Sequence, residues 1–210
     1  MKITKIEPQK KHKNRMSVFL DGEFAFGIDS FTLFSLHLAE NDEVTDEKLT
    51  SIKQTILFED AKNKAAKLLS ARSYTARDMK KKLLEYTGDE ETAEKALSFL
   101  KEYRLIDDRD YAKRFASDCL RIKKLGKRNI RMKLIEKGIS ATLADETIEA
   151  LDTAEEEKEN LEKILMKKID GNFEFKNLMK AKRYAASRGY DFDEIDSAIR
   201  AMKEEAQEEF

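Results

Sequence analysis

The stretch YAKRFASDCLRIKKLGKRNIRMKLIEKGISATLADETIEAL, residues 111–151, decides the fold that the sequence predicts. Its first part carries apolar side chains at i, i+3, i+4, i+7 and i+8, on Ala112, Phe115, Ala116, Cys119 and Leu120. That spacing places them on one face of an α-helix. We therefore predict a helix over about 109–124, ended by the Leu-Gly-Lys sequence at 125–127.

Two shorter helices follow in the same stretch. Ile130 and Leu134 share one helical face, and Gly138 is a residue type that commonly ends a helix because it tolerates a left-handed backbone. Ser140 is a favourable N-cap for a third helix, since its hydroxyl can accept a hydrogen bond from a first-turn N–H group. Residues 111–151 thus predict a unit of three helices.

This three-helix plan recurs along the chain with a step of 51 residues. Residues of the same apolar or turn-forming type are related by that step: Ala61 and Ala112, Leu69 and Leu120, Met79 and Ile130, Leu83 and Leu134, Leu134 and Ala185, Gly138 and Gly189, Ile148 and Ile199. We infer tandem repeats at 58–106, 107–152 and 153–210. A unit of this size has little interior, so we expect neighbouring units to pack into an elongated, curved rod.

The first part of the chain has a different pattern. MSVFLDGEFAFGI, residues 16–28, places two strand-like runs around Asp21-Gly22, which is a strong hairpin signal. Pro8 confines a preceding strand to a sheet edge or a strand end. Asp29 and Thr45 are candidate N-caps of further helices. We predict a small α+β domain over 1–57 and a mostly helical fold for the whole chain.

Composition supports this class. Charged residues make up 40% of the 210 residues, while the chain has 7 Gly and 1 Pro, which suits solvated helices. No stretch approaches the ~20 apolar residues of a membrane span, and no signal-peptide core follows the basic start, so we expect a cytoplasmic protein without a membrane partner. Cys119 is the only cysteine, which excludes an internal disulfide. Sustained heptads are absent, so we expect a monomer.

IDDRDYAKRF, residues 106–115, offers three aspartates in four positions. They could form a metal or catalytic site, but the nearby sequence supplies no histidine as a further ligand. The alternative is that they cap the first helix of the second repeat and favour its dipole. His12 and His37 lie far apart, in contexts unlike a ligand pair. We therefore predict no catalytic residue, no metal and no cofactor.

Positive charge is concentrated in the middle of the chain. Residues 113–137 hold ten Lys and Arg against two acids, whereas 152–210 hold eleven against sixteen. Such a basic block favours an anionic partner, although a solvated helix face is the alternative for any single cation. The candidate binding residues gather where the first helix of a repeat ends and the second begins: Arg72, Arg77, Lys81, Arg114, Arg121, Lys124, Lys127, Arg128 and Arg131.

The sequence resembles the RecX family, bacterial regulators of the RecA recombinase. The resemblance rests on DAKNKAAKLLSARSYTARDMKKKL (60–83), FLKEYRLIDDRDYAKRFASDCLR (99–121) and KLGKRNIRMKLIEKGIS (124–140), with SRGYDFDEIDSAI (187–199) as a weaker echo and VFLDGEFAFGI (18–28) similar to an N-terminal extension. It implies a non-enzymatic modulator that lies in the groove of a RecA filament on single-stranded DNA and limits recombination, DNA repair and the SOS response.

Two further interpretations stay open at this point. The chain could bind single-stranded or double-stranded DNA directly, without sequence preference, or it could be a helical scaffold for another protein. The acids of the third repeat predict that a basic surface ends before residue 153 and that the C-terminal end faces protein instead.

Overall fold

A computed structural model describes residues 1–10, 12–151 and 154–208. The side chain of His12 and the predicted repeat boundary at 152 and 153 lie outside the described residues. By its internal contacts the chain divides into two compact units, the first comprising 1–73 and 79–105 and the second comprising 74–78 and 106–210. Among the described residues no helix is both long and apolar enough to cross a bilayer.

The first unit begins with a three-stranded antiparallel sheet. Strands β1 (Ile3–Gln9), β2 (His12–Leu20) and β3 (Glu23–Asp29) lie in the order β1-β2-β3, so Pro8 falls on an edge strand as predicted. Asp21 and Gly22 have φ of 49° and 91°, the left-handed backbone that a tight hairpin turn requires.

One face of this sheet is covered by apolar residues that follow it. Val18 and Ile28 are fully buried beside Leu38, Val44 and Ile52. Helix α1 (Ser30–Ser35) begins after the predicted cap, since the Asp29 carboxylate accepts hydrogen bonds from two of its first N–H groups. The predicted hairpin domain is therefore present, with its core between the sheet and the helices.

The next three helices are α2 (Asp46–Ala71), α3 (Ala76–Thr87) and α4 (Glu90–Glu102). The Thr45 side chain caps α2 and the Asp89 side chain caps α4. Helix α2 runs without a break through 57 and 58, where the sequence placed a domain boundary, so the predicted N-terminal domain and first repeat share this helix. The first turn of α3 belongs to the second unit.

The described residues of the second unit form six more helices: α5 (Asp108–Arg121), α6 (Lys127–Glu136), α7 (Ala141–Glu149), α8 (Ala154–Ile169), α9 (Phe175–Ser187) and α10 (Phe192–Glu208). The mostly helical class is confirmed. The predicted helix ends are confirmed as well, because Ser140 accepts from the Leu143 N–H and Gly138 has φ of 88° after α6. Helix α5 ends three residues earlier than predicted, since the chain turns at Lys124, whose φ is 50°.

The two groups of three helices in the second unit, α5–α7 and α8–α10, have separate apolar cores. In α5–α7 the core includes Ala112, Cys119, Leu120, Ile130 and Leu134, and in α8–α10 a separate cluster surrounds Leu165. Burial raises the pKa of the Cys119 thiol, which suits the predicted role of a small core side chain.

Two joints between helices of the second unit form at equivalent positions, the first through a side-chain donor and the second through a backbone donor. In the first, the Thr75 hydroxyl donates to the carbonyl oxygen of Lys137 at 2.8 Å. In the second, the Gly126 N–H donates to the carbonyl oxygen of Arg188 at 3.0 Å. Both residues of the second contact lie 51 positions after those of the first. The beginning of α3 thus contacts the end of α6, and the beginning of α6 contacts the end of α9 at equivalent positions.

Candidate nucleic-acid interface

The three aspartates of IDDRDYAKRF have separate structural roles. Asp107 caps α5 and accepts from the N–H groups two and three positions on, at 2.8 and 3.1 Å. Asp108 accepts at 2.8 Å from the N–H of Ala76, the first residue of α3. Asp110 forms a 2.6 Å ion pair with Arg114. The cap predicted for α5 is thus supplied by Asp107, whereas Asp108 binds the start of α3 instead.

Arg77 holds the first joint together. Its guanidinium donates to the carbonyl oxygen of Glu136, in the last turn of α6, and its side chain packs against Gly138. The last carbonyls of a helix have no partner within the helix, so such contacts satisfy groups that otherwise need water. This predicted binding residue therefore has a structural role at the joint.

The loop that carries Lys124 is held by hydrogen bonds from residues that follow α9. The carbonyl oxygen of Lys124 accepts from the Tyr190 hydroxyl at 3.2 Å, and that of Lys123 accepts from the Arg188 guanidinium. Tyr190 is 3% exposed, and its burial raises the pKa of the phenol to about 12, which keeps it a hydrogen-bond donor at neutral pH. The backbone between α5 and α6 is thus held in place by residues that follow α9.

In the part of the chain that the structure describes, four of the seven predicted residues of the second unit are paired with carboxylates. The pairs are Arg114 with Asp110 at 2.6 Å, Arg121 with Glu156 at 3.2 Å, Lys127 with Glu157 at 2.7 Å, and Arg131 with Asp145 at 2.5 Å. In the sequence the basic run contains few acids, but in space α5 and α6 receive acids from α7 and α8. The surface is therefore less positive than the sequence alone suggested.

The Lys127 pair differs from the other three because its acid is buried. Glu157 is buried, with a side chain only 7% exposed, and its second carboxylate oxygen accepts from the Lys127 backbone N–H at 3.2 Å. The hydrogen bond to Glu157 raises the pKa of the Lys127 ammonium. Lys127 therefore holds α6 against α8. The Arg121 and Arg131 side chains, in contrast, remain about half exposed.

Arg128 and Lys81 are exposed, and neither forms an ion pair within the part of the chain that the structure describes. Arg72 is an exposed residue that ends α2. Arg72 and Lys81 belong to the first unit, whereas the other seven predicted residues belong to the second. Within the second unit, Lys127, Arg128 and Arg131 share α6, and Arg121 and Lys124 lie at the preceding turn.

The contacts that sequence reasoning missed are those made by residues distant in the chain. Neither Glu156 nor Asp145 gave a local signal of its cationic partner, since Glu156 is one of three consecutive acids and Asp145 is followed by a second acid. Arg188 and Tyr190 could have been found, because the 51-residue step maps them onto Lys137 and Ile139 at the equivalent helix end.

Comparison with known proteins places this fold. Residues 1–45 match the model of the regulatory protein RecX N-terminal domain, and residues 107–148 match the model of the second three-helix domain of RecX. A regulatory protein RecX of Clostridium botulinum is 33% identical over 204 residues, covering 95% of both chains. One from Clostridium beijerinckii is 34% identical over 206 residues, covering 96% of this chain and 95% of its own.

The chain belongs to the RecX family. A crystal structure of a regulatory protein RecX superposes with a TM-score of 0.76 at 26% identity, covering 95% of this chain and 98% of its own. The RecX structure from Lactobacillus salivarius gives a TM-score of 0.65 at 21% identity over 70% of this chain and 97% of its own, and shows the shared fold. Six of the candidate residues fall within the matched second three-helix domain of RecX: Arg114, Arg121, Lys124, Lys127, Arg128 and Arg131.

Proposed function

We propose that this chain is a non-enzymatic regulator of the RecA recombinase. It binds in the groove of the RecA filament on single-stranded DNA and inhibits strand exchange, and so limits recombination, DNA repair and the SOS response. Membership of the RecX family supports this role, because the family resemblance implies RecA as the partner. The nine cations predicted from sequence are proposed to form this interface, in which Arg77 and Lys127 serve mainly to hold the helices in place.

The observation that carries the proposal is the fixation of α6 at both ends. Its first turn is attached to the end of α9 through Gly126, and its last turn is attached to α3 through Thr75 and Arg77. A helix held in this way presents its cations in one geometry, so binding does not require the helix to be ordered first. Arg128 is the exposed cation on this helix that a phosphate can reach without breaking an ion pair.

The paired cations can also contribute to binding. Exposed ion pairs such as Arg121 with Glu156 contribute only about 0–1 kcal/mol, because water and salt screen both charges. A phosphate can therefore replace the carboxylate at little cost, and an arginine fork suits its oxygens well. The Lys127 pair is different, since Glu157 is buried, and we assign Lys127 mainly to structure.

The test is a RecA ATP hydrolysis and strand-exchange assay with this protein added. The double variant Lys124→Glu, Arg128→Glu is expected to lose inhibition, and Arg121 is left unchanged because it pairs with Glu156. The matched control is Lys158→Glu, Lys163→Glu on α8, which changes the net charge equally. Inhibition that is equal in both variants would remove the assignment of the surface, and no effect of the unchanged protein would remove RecA as the partner.

Direct binding to DNA without RecA is the second candidate. The exposed Arg128 suits phosphates of free DNA as well as those of a filament. Phosphate contacts predict that affinity falls steeply with salt. Titration of bare single-stranded and double-stranded DNA at two salt concentrations separates the candidates, because strong binding to bare DNA with no effect on RecA favours the second.

A further inference from the structure

Helix α9 differs in charge from the two helices that flank it in the sequence. It contains no acidic residue, and its cations are Lys176, Lys180, Lys182 and Arg183. The acids of the third repeat lie mainly on α8 and α10. The sequence predicted the end of the basic surface from the net negative charge of 153–210. That net charge conceals one helix, α9, whose charged residues are all basic.

Three of these cations share the exposed side of α9. Lys176, Lys180 and Arg183 follow one another at i, i+4 and i+7, and they span about 10 Å along the helix axis. All three are exposed, and none forms an ion pair among the residues that the structure describes. The opposite side of the helix is buried through Leu178, Ala181 and Ala185. The remaining cation, Lys182, pairs with Asp196 on α10 at 2.5 Å.

A fourth cation reaches the same surface from the last turn of α8. The Lys168 ammonium lies 4.4 Å from the ring centroid of Tyr184, which is a favourable cation–π distance. Tyr184 follows Arg183 directly and lies one turn after Lys180, so its ring brings Lys168 to the helix that carries them. The acids nearest in sequence are Asp170, two residues after Lys168, and Glu174, the residue that precedes α9.

This surface adjoins α6. The side-chain amide of Asn129 donates to the carbonyl oxygen of Ser187 at 2.7 Å, and the N–H of Gly126 donates to that of Arg188. Arg128 precedes Asn129, and Arg183 lies one turn before Ser187. The cations of α6 and α9 therefore flank one fixed joint.

An uncompensated cluster of this kind is unfavourable for the isolated helix. Like charges at i, i+4 destabilise a helix by a few tenths of a kcal/mol, roughly, for each pair. An extended polyanion relieves this repulsion. It also releases its own condensed counterions on binding, whereas a single acidic side chain has none to release. The surface therefore suits a nucleic-acid backbone better than a single acidic residue of a protein.

We propose that α9 is a second nucleic-acid-binding helix, in which Lys176, Lys180 and Arg183, joined by Lys168, bind phosphates of the strand that α6 binds. The inference rests on the proposed function and extends it, since it assigns the third repeat to DNA. It follows that the basic surface passes through the α6–α9 joint into the third repeat.

The experiment is a fluorescence anisotropy titration of a labelled oligothymidylate, alone and coated with RecA. The test variant is Lys176→Glu, Lys180→Glu, Arg183→Glu, and the control is Lys158→Glu, Lys163→Glu, Lys167→Glu on α8, with the same change in net charge. We expect the α9 variant to bind about tenfold more weakly or worse and to lose about 2 from the slope of log affinity against log salt, and the α8 variant to stay within about twofold.

A second variant guards against misfolding. Lys176→Ala, Lys180→Ala, Arg183→Ala avoids new repulsion, and it is expected to retain the helical circular-dichroism signal and still show the shallower salt dependence. Equal affinities of the α9 and α8 variants would overturn the inference. If only the α6 variant Lys124→Glu, Arg128→Glu loses binding, the proposed function stands and the α9 assignment fails. If the unchanged protein binds neither probe, both fail.

Discussion

The side-chain amide nitrogen of Asn129 lies 2.7 Å from the carbonyl oxygen of Ser187, so a residue in the first turn of α6 satisfies the last turn of α9. Arg77, in the first turn of α3, binds the carbonyl oxygen of Glu136 at the end of α6 in the equivalent place. The carbonyl positions are 51 residues apart, and the donors nearly so. Second helices of successive repeats are therefore connected by one type of contact.

Glycine at the end of α9 is required for this contact. Gly189 has φ of +94°, and a Cβ there would lie 2.6 Å from the backbone nitrogen of Asn129. Gly171 also has a positive φ, +71°, but a Cβ there meets nothing within 4 Å. We expect Gly171→Ala to lower the free energy of unfolding by about 1 kcal/mol, for backbone strain alone. Gly189→Ala should lower it by more than about 3 kcal/mol, because backbone atoms must separate.

Urea unfolding followed by circular dichroism measures both glycine variants. Equal losses for the two alanines would mean that the joint yields without cost, and the close approach of α6 to α9 would then not contribute to stability.

The aspartates of the second repeat should differ in their effect on stability. Asp107→Ala removes the N-cap of α5 and is expected to cost about 1 kcal/mol. Asp108→Ala leaves the N–H of Ala76 without its acceptor and is expected to cost about 1–3 kcal/mol. Asp110→Ala breaks an exposed pair and should cost less than about 1 kcal/mol. Thermal unfolding with Mg²⁺ or with EDTA should coincide, and a shift in melting temperature would instead indicate a metal site.

Glu157 and Glu156 form a natural comparison of buried and exposed ion pairs. Glu157→Ala removes the partner of the Lys127 ammonium and of its backbone N–H, and should cost about 2 kcal/mol. The cost stays below the usual range for buried pairs because the Lys127 side chain is 44% exposed and regains water. Glu156→Ala breaks the exposed Arg121 pair and should cost less than about 1 kcal/mol. Chemical denaturation compares them, and the reverse order would refute the structural role given to Lys127.

Removing one carboxylate should strengthen binding to DNA. Arg131 holds the pKa of Asp145 below its usual range through their ion pair, so Asp145→Asn releases the guanidinium at neutral pH. We expect affinity for single-stranded DNA to rise by about two- to fivefold. Asp193→Asn on α10 changes the net charge equally and should have a smaller effect. Anisotropy titration measures both, and the same gain in both variants would point to net charge rather than Arg131.

The cap of α1 predicts how stability depends on pH. Burial alone would raise the pKa of Asp29, but hydrogen bonds from the Thr32 hydroxyl and from the N–H groups of Thr32 and Phe31 outweigh it and lower the pKa. The unfolded chain then binds a proton at higher pH than the folded chain, so the cap's contribution is complete above about pH 5 and is lost as pH falls through the folded pKa. Urea midpoints from pH 6 down to about pH 3 should therefore fall further for the unchanged protein than for Asp29→Asn. Parallel curves would contradict this role.

Local signals in the sequence predicted most of the fold. Asp21-Gly22 indicated the hairpin, Thr45 and Ser140 indicated helix starts, and the 51-residue step indicated that the helical pattern recurs. The length of α2 was missed, because the boundary at 57 and 58 was placed from the repeat step rather than from a helix stop. No glycine or proline lies between 46 and 71, so nothing in the sequence ends the helix there.

The candidate site was less predictable because its charges are set by tertiary packing. Glu156 pairs with Arg121 across 35 positions, and Asp145 with Arg131 across 14. No periodic pattern relates such residues, so the acids around the basic run could not be read from the run itself. The basic side of α9 was missed for another reason, since averaging charge over 153–210 conceals Lys176, Lys180 and Arg183 among the acids of α8 and α10.

The joints have an evolutionary consequence, because their acceptors are main-chain oxygens. An oxygen is present at 137 and 188 whatever amino acid stands there, so mutation of those side chains leaves the acceptor in place. Duplication of a gene segment that encodes one three-helix repeat would also give the new repeat the same main-chain acceptor at the end of its second helix. A chain built in this way can gain or lose whole repeats while each remaining joint keeps its geometry.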